Sequence, residues 1–205
     1  MEEVYWLSIV ASKLAIELDF DVVHAHDWLT YLAGMVAKEI SGKPLVVHMH
    51  ATEFDRSAII NKQVYEIERQ GMLAADKVIA VSNLTRNVVI DKYHIDPKKV
   101  VTTYNGVLQE KKLEVYEPMK LKEKIVTFLG RITYQKGPEY FIEAAEKVLT
   151  KNNNVRFVMA GSGDLMNKMV QLVASKRLSS KFNFTGFLTG SQVEHMFVQS
   201  DVFVM

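Results

Sequence analysis

Short apolar runs alternate with longer segments of helical periodicity along almost the whole chain. The runs 125–129 (IVTFL) and 155–160 (VRFVMA) are rich in β-branched and aromatic residues, which is typical of buried strands in parallel sheets. The alternation predicts an α/β fold with doubly wound sheets. Strands are predicted over 21–25, 44–49, 77–81, 99–103, 125–129, 155–160, 182–185 and 201–205, and helices over 3–18, 29–41, 60–74, 83–93, 138–150, 165–177 and 192–199.

A charged segment divides this pattern into two parts. Residues 108–123 are rich in Lys and Glu and lack a sustained apolar period, which is typical of a connection between domains. We therefore expect a partial first domain over 1–107 and a partial second domain over 124–205. In the second domain, Ser191 followed three residues later by Glu194 predicts a capping box at the start of the last helix.

Composition narrows the function classes. Hydrophobic residues make up 48% of the chain and charged residues 24%, which predicts a packed core rather than disorder. The net charge of +1, without basic or acidic blocks, argues against nucleic acid or an anionic membrane as the main partner. The sequence has neither a long apolar run nor a signal-peptide pattern. Without cysteines, disulfides, thiol catalysis and thiolate metal sites are excluded, and we expect a cytoplasmic enzyme.

The loop after the strand 125–129 carries two cations close to a predicted helix start. Arg131 and Lys136 follow Gly130 on this loop, and Pro138 is acceptable at the first helical position. Open α/β sheets bind ligands at the carboxyl ends of their strands, and helix N-termini favour anions. Because Arg can bond two phosphate oxygens and Lys adds a compact charge, the loop is a candidate diphosphate site. The alternative is that both residues are ordinary solvated cations.

A glycine-rich turn follows the strand 155–160. Gly161, Ser162 and Gly163 leave the backbone open to close approach by a nucleotide. The alternative is a tight turn with only a structural role.

Two pairs of histidines end two neighbouring predicted strands. His24 and His26 are two residues apart, as are His48 and His50, so that each pair points to one side of its strand. Together they could bind a metal such as zinc. Alternatively, they cap strand ends by bonding backbone carbonyls. Asp27 is the only adjacent carboxylate.

Seven segments follow one another along the chain and together span nearly all of it. They are DVVHAHDW (21–28), LVVHMHATE (45–53), ADKVIAVS (75–82), YNGV (104–107), FLGRITYQKG (128–137), AGSGD (160–164) and SDVFVM (200–205). In this order they resemble retaining glycosyltransferases of the glycogen synthase and family 4 type. The resemblance implies a GT-B fold, with two Rossmann-like domains.

The resemblance also implies a reaction: transfer of a hexose from a nucleotide sugar to a saccharide or glucan acceptor, with retained configuration. His50 matches the first-domain histidine that faces the donor sugar, and Asp27 matches an acidic position near the sugar. Arg131 and Lys136 match the cations that stabilise the leaving diphosphate. No cofactor and no metal are then needed, and no oligomeric state is indicated. The other expected donor-binding residues are Gly130, Gly161, Ser162 and Gly163.

Four further positions have open interpretations. Trp28 packs against the following helix or stacks on a sugar, and Glu53 is either a cleft carboxylate or a helix-start acid. Asn105 and Gly106 resemble the family's turn before the linker. Relatives usually continue with a polar residue where this chain has Leu108, which puts a ligand role for that turn in doubt.

Length leads to a further expectation. Two complete domains of this class need about 350 to 400 residues, whereas this chain has 205. We therefore expect a fragment, truncated at both ends, that lacks the family's glycine-rich turn and its two glutamates and is weakly active or inactive. The alternatives are a non-catalytic remnant that binds nucleotide sugars, a metal-dependent hydrolase built on the histidine pairs and, more remotely, a sugar 2-epimerase.

Overall fold

The computed structural model describes residues 1–106 and 122–205. The chain forms two compact units, residues 1–107 and 108–205. The predicted connection, 108–123, lies outside the described residues except for its last two positions. Within the described ranges, none of the helices combines the length and apolar character that crossing a membrane requires.

The first unit has one parallel sheet whose strands lie side by side in chain order, β1-β2-β3-β4. Each pair of neighbouring strands is therefore joined by a helical crossover. The elements are α1 (Glu2–Glu17), β1 (Val23–His26), α2 (Asp27–Ser41), β2 (Leu45–Met49), α3 (Glu53–Arg56), α4 (Lys62–Ala74), β3 (Lys77–Ala80), α5 (Asn83–Tyr93) and β4 (Val100–Thr102).

The strand β2 shows how the core of this unit forms. Leu45, Val47 and Met49 alternate along it and are fully buried in the main cluster of apolar side chains. Trp28 is partly buried and packs against this cluster. The intervening residue His48 points to the opposite face of the sheet. One face of this sheet is thus an apolar core, and the other carries histidines.

The second unit also has a parallel sheet, but its strand order, β7-β6-β5-β8, does not follow the chain. The strand β5, the first of the described strands in this unit, lies between β6 and β8. The elements are β5 (Lys124–Leu129), a 3₁₀ turn (Tyr134–Lys136), α6 (Pro138–Leu149), β6 (Val155–Ala160), α7 (Met166–Ser175), a second 3₁₀ turn (Ser179–Lys181), β7 (Phe182–Gly186), α8 (Ser191–Gln199) and β8 (Val202–Val204).

Aromatic rings fill the core of the second unit. Phe141 of α6 makes edge contacts with Phe157 and Phe182, whose rings stack on each other at 5.3 Å. The helix α6 begins at Pro138 after Gly137, which has φ 59° and serves as its N-cap. A residue other than glycine would be strained at this φ, so that the sequence Gly-Pro sets where the helix starts.

The structure differs from the sequence predictions at several short elements. The hydrophobic periodicity did not reveal α3 or the two 3₁₀ turns, because elements of three or four residues are too short to show a helical period. The predicted capping box at Ser191 and Glu194 is wrong: Gly190 is the N-cap of α8 and no side chain caps it. Instead, the Gln192 side chain accepts a hydrogen bond from the Thr189 backbone at 3.1 Å. A capping box is present at α3, between Thr52 and Asp55.

Candidate functional site

The second unit has a pocket of about 240 Å³ at the carboxyl ends of its strands. Gly130 and Arg131 after β5 line one part of it, and Gly161 and Ser162 after β6 line another. Phe187, Leu188 and Val193 complete an apolar side after β7. The structure therefore brings together four of the residues that the sequence predicted for donor binding.

Close backbone contact holds the two loops of this pocket together. The Gly161 backbone has φ 138°, and a Cβ atom added there would lie 1.8 Å from the Gly130 carbonyl oxygen. At Gly163 an added Cβ would lie 2.3 Å from the Ile132 carbonyl oxygen. The Ile132 amide also donates to the Ser162 carbonyl oxygen at 2.8 Å. The glycines are thus required for loop packing, whether or not a ligand binds.

The two predicted cations occupy different positions on their loop. Arg131 is exposed at the pocket, and its Nη2 atom donates to Gln135 Oε1 at 3.1 Å. Lys136 ends the 3₁₀ turn and does not line the pocket. Within residues 1–106 and 122–205, neither cation forms a salt bridge, so that both charges remain available to an anion.

In the first unit, Asp27 holds His50 in place through the backbone. The Asp27 Oδ1 atom accepts a hydrogen bond from the His50 amide at 2.8 Å. Asp27 has φ 56°, a conformation that few residues other than glycine, asparagine and aspartate adopt. The short polar side chain of Asp27 therefore serves two purposes, the turn into α2 and the bond to the loop after β2.

Four histidine rings lie together on the face of the first sheet opposite the apolar core. His26 of β1 lies beside His48 of β2 in the sheet register, with ring centroids 5.0 Å apart. The His26 Nδ1 and His50 Nε2 atoms are 2.9 Å apart, a hydrogen-bond distance. Burial and the charges of neighbouring rings lower the pKa of both His24 and His48. None of the four rings bonds a backbone carbonyl among the described contacts, so that the predicted capping of strand ends is not seen.

A buried polar network supports the loop that follows His50. Glu68 of α4 is fully buried, and its Oε1 atom accepts from both terminal nitrogens of Arg56, at 2.7 and 2.8 Å. Its Oε2 atom accepts from the Tyr93 hydroxyl and, at 3.1 Å, from the Glu53 amide. Burial raises the pKa of Glu68 to about 7, although these donors oppose the rise. The Arg56 side chain also bonds the Ala51 carbonyl oxygen, which ties the network to the loop.

Glu53, for which the sequence allowed two roles, lies in this network. It is buried, begins α3, and accepts from the Asn61 amide at 2.9 Å, so the structure favours the helix-start acid over a cleft carboxylate. Glu68 and Tyr93 were not predicted, because a single Glu and Tyr on helices carry no signal until their partners are known. Phe187 and Leu188 were also missed, although they lie two and three residues after the predicted strand end at 185.

Comparisons with known proteins agree with the motifs. Residues 2–110 match the sequence model described as Glycosyltransferase Family 4, and residues 109–205 match Glycosyl transferases group 1. An uncharacterized glycosyltransferase of Methanocaldococcus jannaschii is 31% identical over 201 residues, covering 91% of this chain and 51% of the relative. An Escherichia coli UDP-Gal:alpha-D-GlcNAc-diphosphoundecaprenol alpha-1,3-galactosyltransferase is 31% identical over 94% of this chain and 53% of the relative. The chain thus spans about half the length of these curated relatives.

Solved structures give the same fold. The Anabaena protein HepE, crystallised with UDP and glucose, superposes with a TM-score of 0.77 at 17% identity, over 96% of this chain and 55% of that protein. TarM superposes with a TM-score of 0.75 over 96% of this chain and 39% of that protein. These matches confirm the expected α/β fold of the GT-B type. Since one family model alone covers more than half of its residues, the chain belongs to glycosyltransferase family 4.

Proposed function

We propose that this chain is part of an enzyme that transfers a hexose from a nucleotide sugar to a saccharide acceptor with retention of configuration. The observation that carries the proposal is the second-unit pocket, where Arg131 and the glycine turn at 161–163 meet beside an apolar wall. Similar structures of the Anabaena protein HepE contain UDP with glucose, or UDP-glucose, which supports a nucleotide-sugar donor here.

The pocket suits the parts of such a donor. Arg131 lies at the polar side, where its guanidinium group would pair with diphosphate oxygens. Phe187 is 73% exposed and lies at the apolar side with Leu188 and Val193, where a nucleobase or sugar ring would find an apolar surface. A volume of about 240 Å³ holds part of a nucleotide sugar, so that the rest would extend into solvent or towards other parts of the protein.

In the proposed reaction, Arg131 and Lys136 stabilise the negative charge that grows on the leaving diphosphate. Preorganised cations of this kind supply a large share of transition-state stabilisation in such chemistry, and no ion pair has to be broken first. His50 would orient the donor sugar, and the Asp27 carboxylate fixes the His50 backbone for that purpose. Retention is supported by the likeness of the motifs to the glycogen synthase type and by a glycogen synthase among the relatives, 22% identical over 190 residues.

Binding tests the donor site of this chain directly. We expect UDP and UDP-glucose to bind, more weakly than to a full-length relative, and Arg131→Ala or Lys136→Ala to weaken binding at least 10-fold by calorimetry. Lys151→Ala is the control, since Lys151 is an exposed cation of the same unit away from the pocket. Equal affinity in all three variants, or no binding to the parent chain, would overturn the proposed site.

Turnover tests the reaction. We expect slow transfer or hydrolysis of the sugar nucleotide by this chain, and about 100-fold less in Arg131→Ala, the cost of removing one electrostatic donor. His50→Ala should reduce the rate more than His48→Ala. Proton NMR of the first-formed product reads the anomeric configuration, and an inverted product would contradict retention. Nucleotide-sugar binding without any turnover would favour the alternative of a non-catalytic binding module.

A further inference from the structure

The histidine face of the first sheet gathers imidazole nitrogens closely enough to share an ion. His24, His26 and His48 each offer one ring nitrogen, and these three atoms lie within 4.8 Å of one another. In a tetrahedral zinc site with Zn–N distances of about 2.0–2.1 Å, ligand nitrogens lie about 3.3 Å apart. Modest rotation of the side chains would therefore bring the three nitrogens to ligand distance without moving the strands.

The ring nitrogens of His48 provide an independent observation. Both of its ring nitrogens are enclosed, and neither has a hydrogen-bond partner among residues 1–106 and 122–205. A buried polar atom without a partner destabilises the folded state, because it has lost its bonds to water without a replacement. Val46, the neighbouring residue on this face of β2, is apolar and offers no hydrogen bond from its side chain. The family resemblance predicts no metal, and this unsatisfied ring is the structural observation that favours one.

The bond between His26 and His50 suits a ligand histidine. The His26 Nδ1 atom lies 2.9 Å from His50 Nε2, at hydrogen-bond distance. This leaves His26 Nε2 as the nitrogen available to an ion. Histidines that bind metals generally have their second ring nitrogen held by an outer partner, which fixes the tautomer and the ring orientation. His50 would supply that partner, and it would do so from outside the ligand set.

The donor set determines the class of ion. Three imidazoles with no thiolate and no carboxylate among them suit zinc, cobalt, nickel or copper, whereas magnesium, calcium and manganese prefer oxygen ligands. We infer that His24, His26 and His48 form a binding site for one divalent transition-metal ion, with zinc the best match. The fourth position is open to water or another ligand. The site adjoins His50 and is independent of whether the chain transfers sugar.

Calorimetry with the untagged chain, freed of metal by chelator, tests the site. We expect one zinc ion to bind per chain, and His24→Ala and His48→Gln to weaken its affinity by at least about 100-fold as ligands are lost. His50→Ala should weaken it by about 10-fold, the effect of removing an outer partner. Cobalt bound in place of zinc should show the visible absorption of a tetrahedral nitrogen site, and magnesium should not compete for it.

A matched histidine separates this site from general affinity for metal. His94 lies at the end of α5, outside the cluster, with φ 57°, and Asn tolerates that conformation. His94→Asn should leave zinc affinity unchanged, and thermal melts should show that all of the variants fold. Absence of saturable zinc binding would overturn the inference, and the His48 ring nitrogens would then be expected to bond ordered water instead. So would equal loss in His94→Asn, or unchanged affinity in both His24→Ala and His48→Gln.

Discussion

The two units hold the loops at their strand ends by different means. In the first unit, side chains reach to the backbone: Asp27 accepts from the His50 amide, and the Glu68 and Arg56 side chains together fix Ala51 and Glu53. In the second unit, the backbone holds itself, since Gly161 and Gly163 pack directly on the carbonyl groups of Gly130 and Ile132. The loops at the carboxyl ends of the strands are thus held by polar side chains in the first unit and by close packing of glycine backbone in the second.

This difference determines which substitutions each unit tolerates. The first unit should be sensitive to the loss of a polar group, because a network leaves its other members unsatisfied when one is removed. The second unit should be sensitive to the gain of a methyl group, because no space exists between its loops. Four predictions test the contrast, from the largest expected effect to the smallest.

Gly161→Ala should lower the free energy of unfolding of the second unit by more than about 5 kcal/mol and so unfold it, since the new methyl group would overlap the Gly130 carbonyl oxygen. Gly186→Ala is the matched control: Gly186 also has a positive φ, 73°, but a Cβ there meets nothing within 4 Å. It should cost only about 1–2 kcal/mol. Hydrogen exchange in β5 and β6, followed by mass spectrometry, measures both. Similar protection of β5 and β6 from exchange in the two variants would mean that glycine is needed at 161 for its positive φ and not for the contact between the loops.

Glu68→Ala should lower the free energy of unfolding of the first unit by about 3–5 kcal/mol. Arg56 loses its two hydrogen bonds to the buried carboxylate and keeps only the longer contact with Glu53, at 3.9 Å, and the Tyr93 hydroxyl and the Glu53 amide lose their acceptor. Glu66, an exposed residue of the same helix, gives the control, and Glu66→Ala should cost less than about 0.5 kcal/mol. Urea unfolding followed by tryptophan fluorescence reports this unit, since both tryptophans, Trp6 and Trp28, belong to it. Equal midpoints would show that the network adds nothing to stability.

Stability of the first unit should depend on pH through Glu68. Its pKa rises on folding from 4.5 to about 7, so the folded state binds the proton more tightly. This contribution is complete below pH 4.5 and is lost as pH rises through 7, a change of about 3 kcal/mol. Glu68→Gln removes the titration, and the stability difference between the parent chain and this variant isolates it. A difference that stays constant from pH 4.5 to 7.5 would show that the Arg56 pair keeps the carboxylate ionised throughout.

Asp27→Ala should destabilise the first unit by about 1–2 kcal/mol, because it removes the bond to the His50 amide and places alanine at φ 56°. Asp27→Asn keeps an acceptor oxygen and tolerates the same φ, so it should cost less than about 0.5 kcal/mol. Tryptophan fluorescence in urea again measures both variants. Equal effects would assign the role of Asp27 to its charge instead of its shape and acceptor oxygen.

Sequence patterns predicted most of the fold because the core of each strand follows a local rule. The alternation of Leu45, Val47 and Met49 with His48 was enough to place the histidines on one face. Strand order was beyond the sequence pattern, since the pairing of β5 with β8 joins segments more than 70 residues apart. The buried partners of Glu68 could not be predicted for the same reason: Arg56 lies on α3 and Tyr93 on α5, and only the folded chain brings them to α4.

The candidate site was only partly predictable. Arg131 and the turn at Gly161 follow strand ends directly, and parallel strands bring such positions together at one edge. That Gly161 and Gly163 are needed for contact with the preceding loop could not be known before the loops were placed. Ser191 and Glu194 had the right spacing for a capping box, but Gly190 and Gln192 shape that helix start instead, because local spacing does not fix the backbone angle at Gly190.

The strand orders of the two sheets imply different routes of assembly during synthesis. In the first sheet each new strand adds beside the one made before it, so that the sheet can grow as the chain leaves the ribosome. Among the described strands of the second sheet, β5 is made before the others but pairs with β8, the latest of them, and the Thr127 and Ser200 hydroxyls are hydrogen-bonded although they lie 73 residues apart. One side of β5 therefore stays unpaired until β8 has been made, which leaves that side open to pairing with another chain during synthesis.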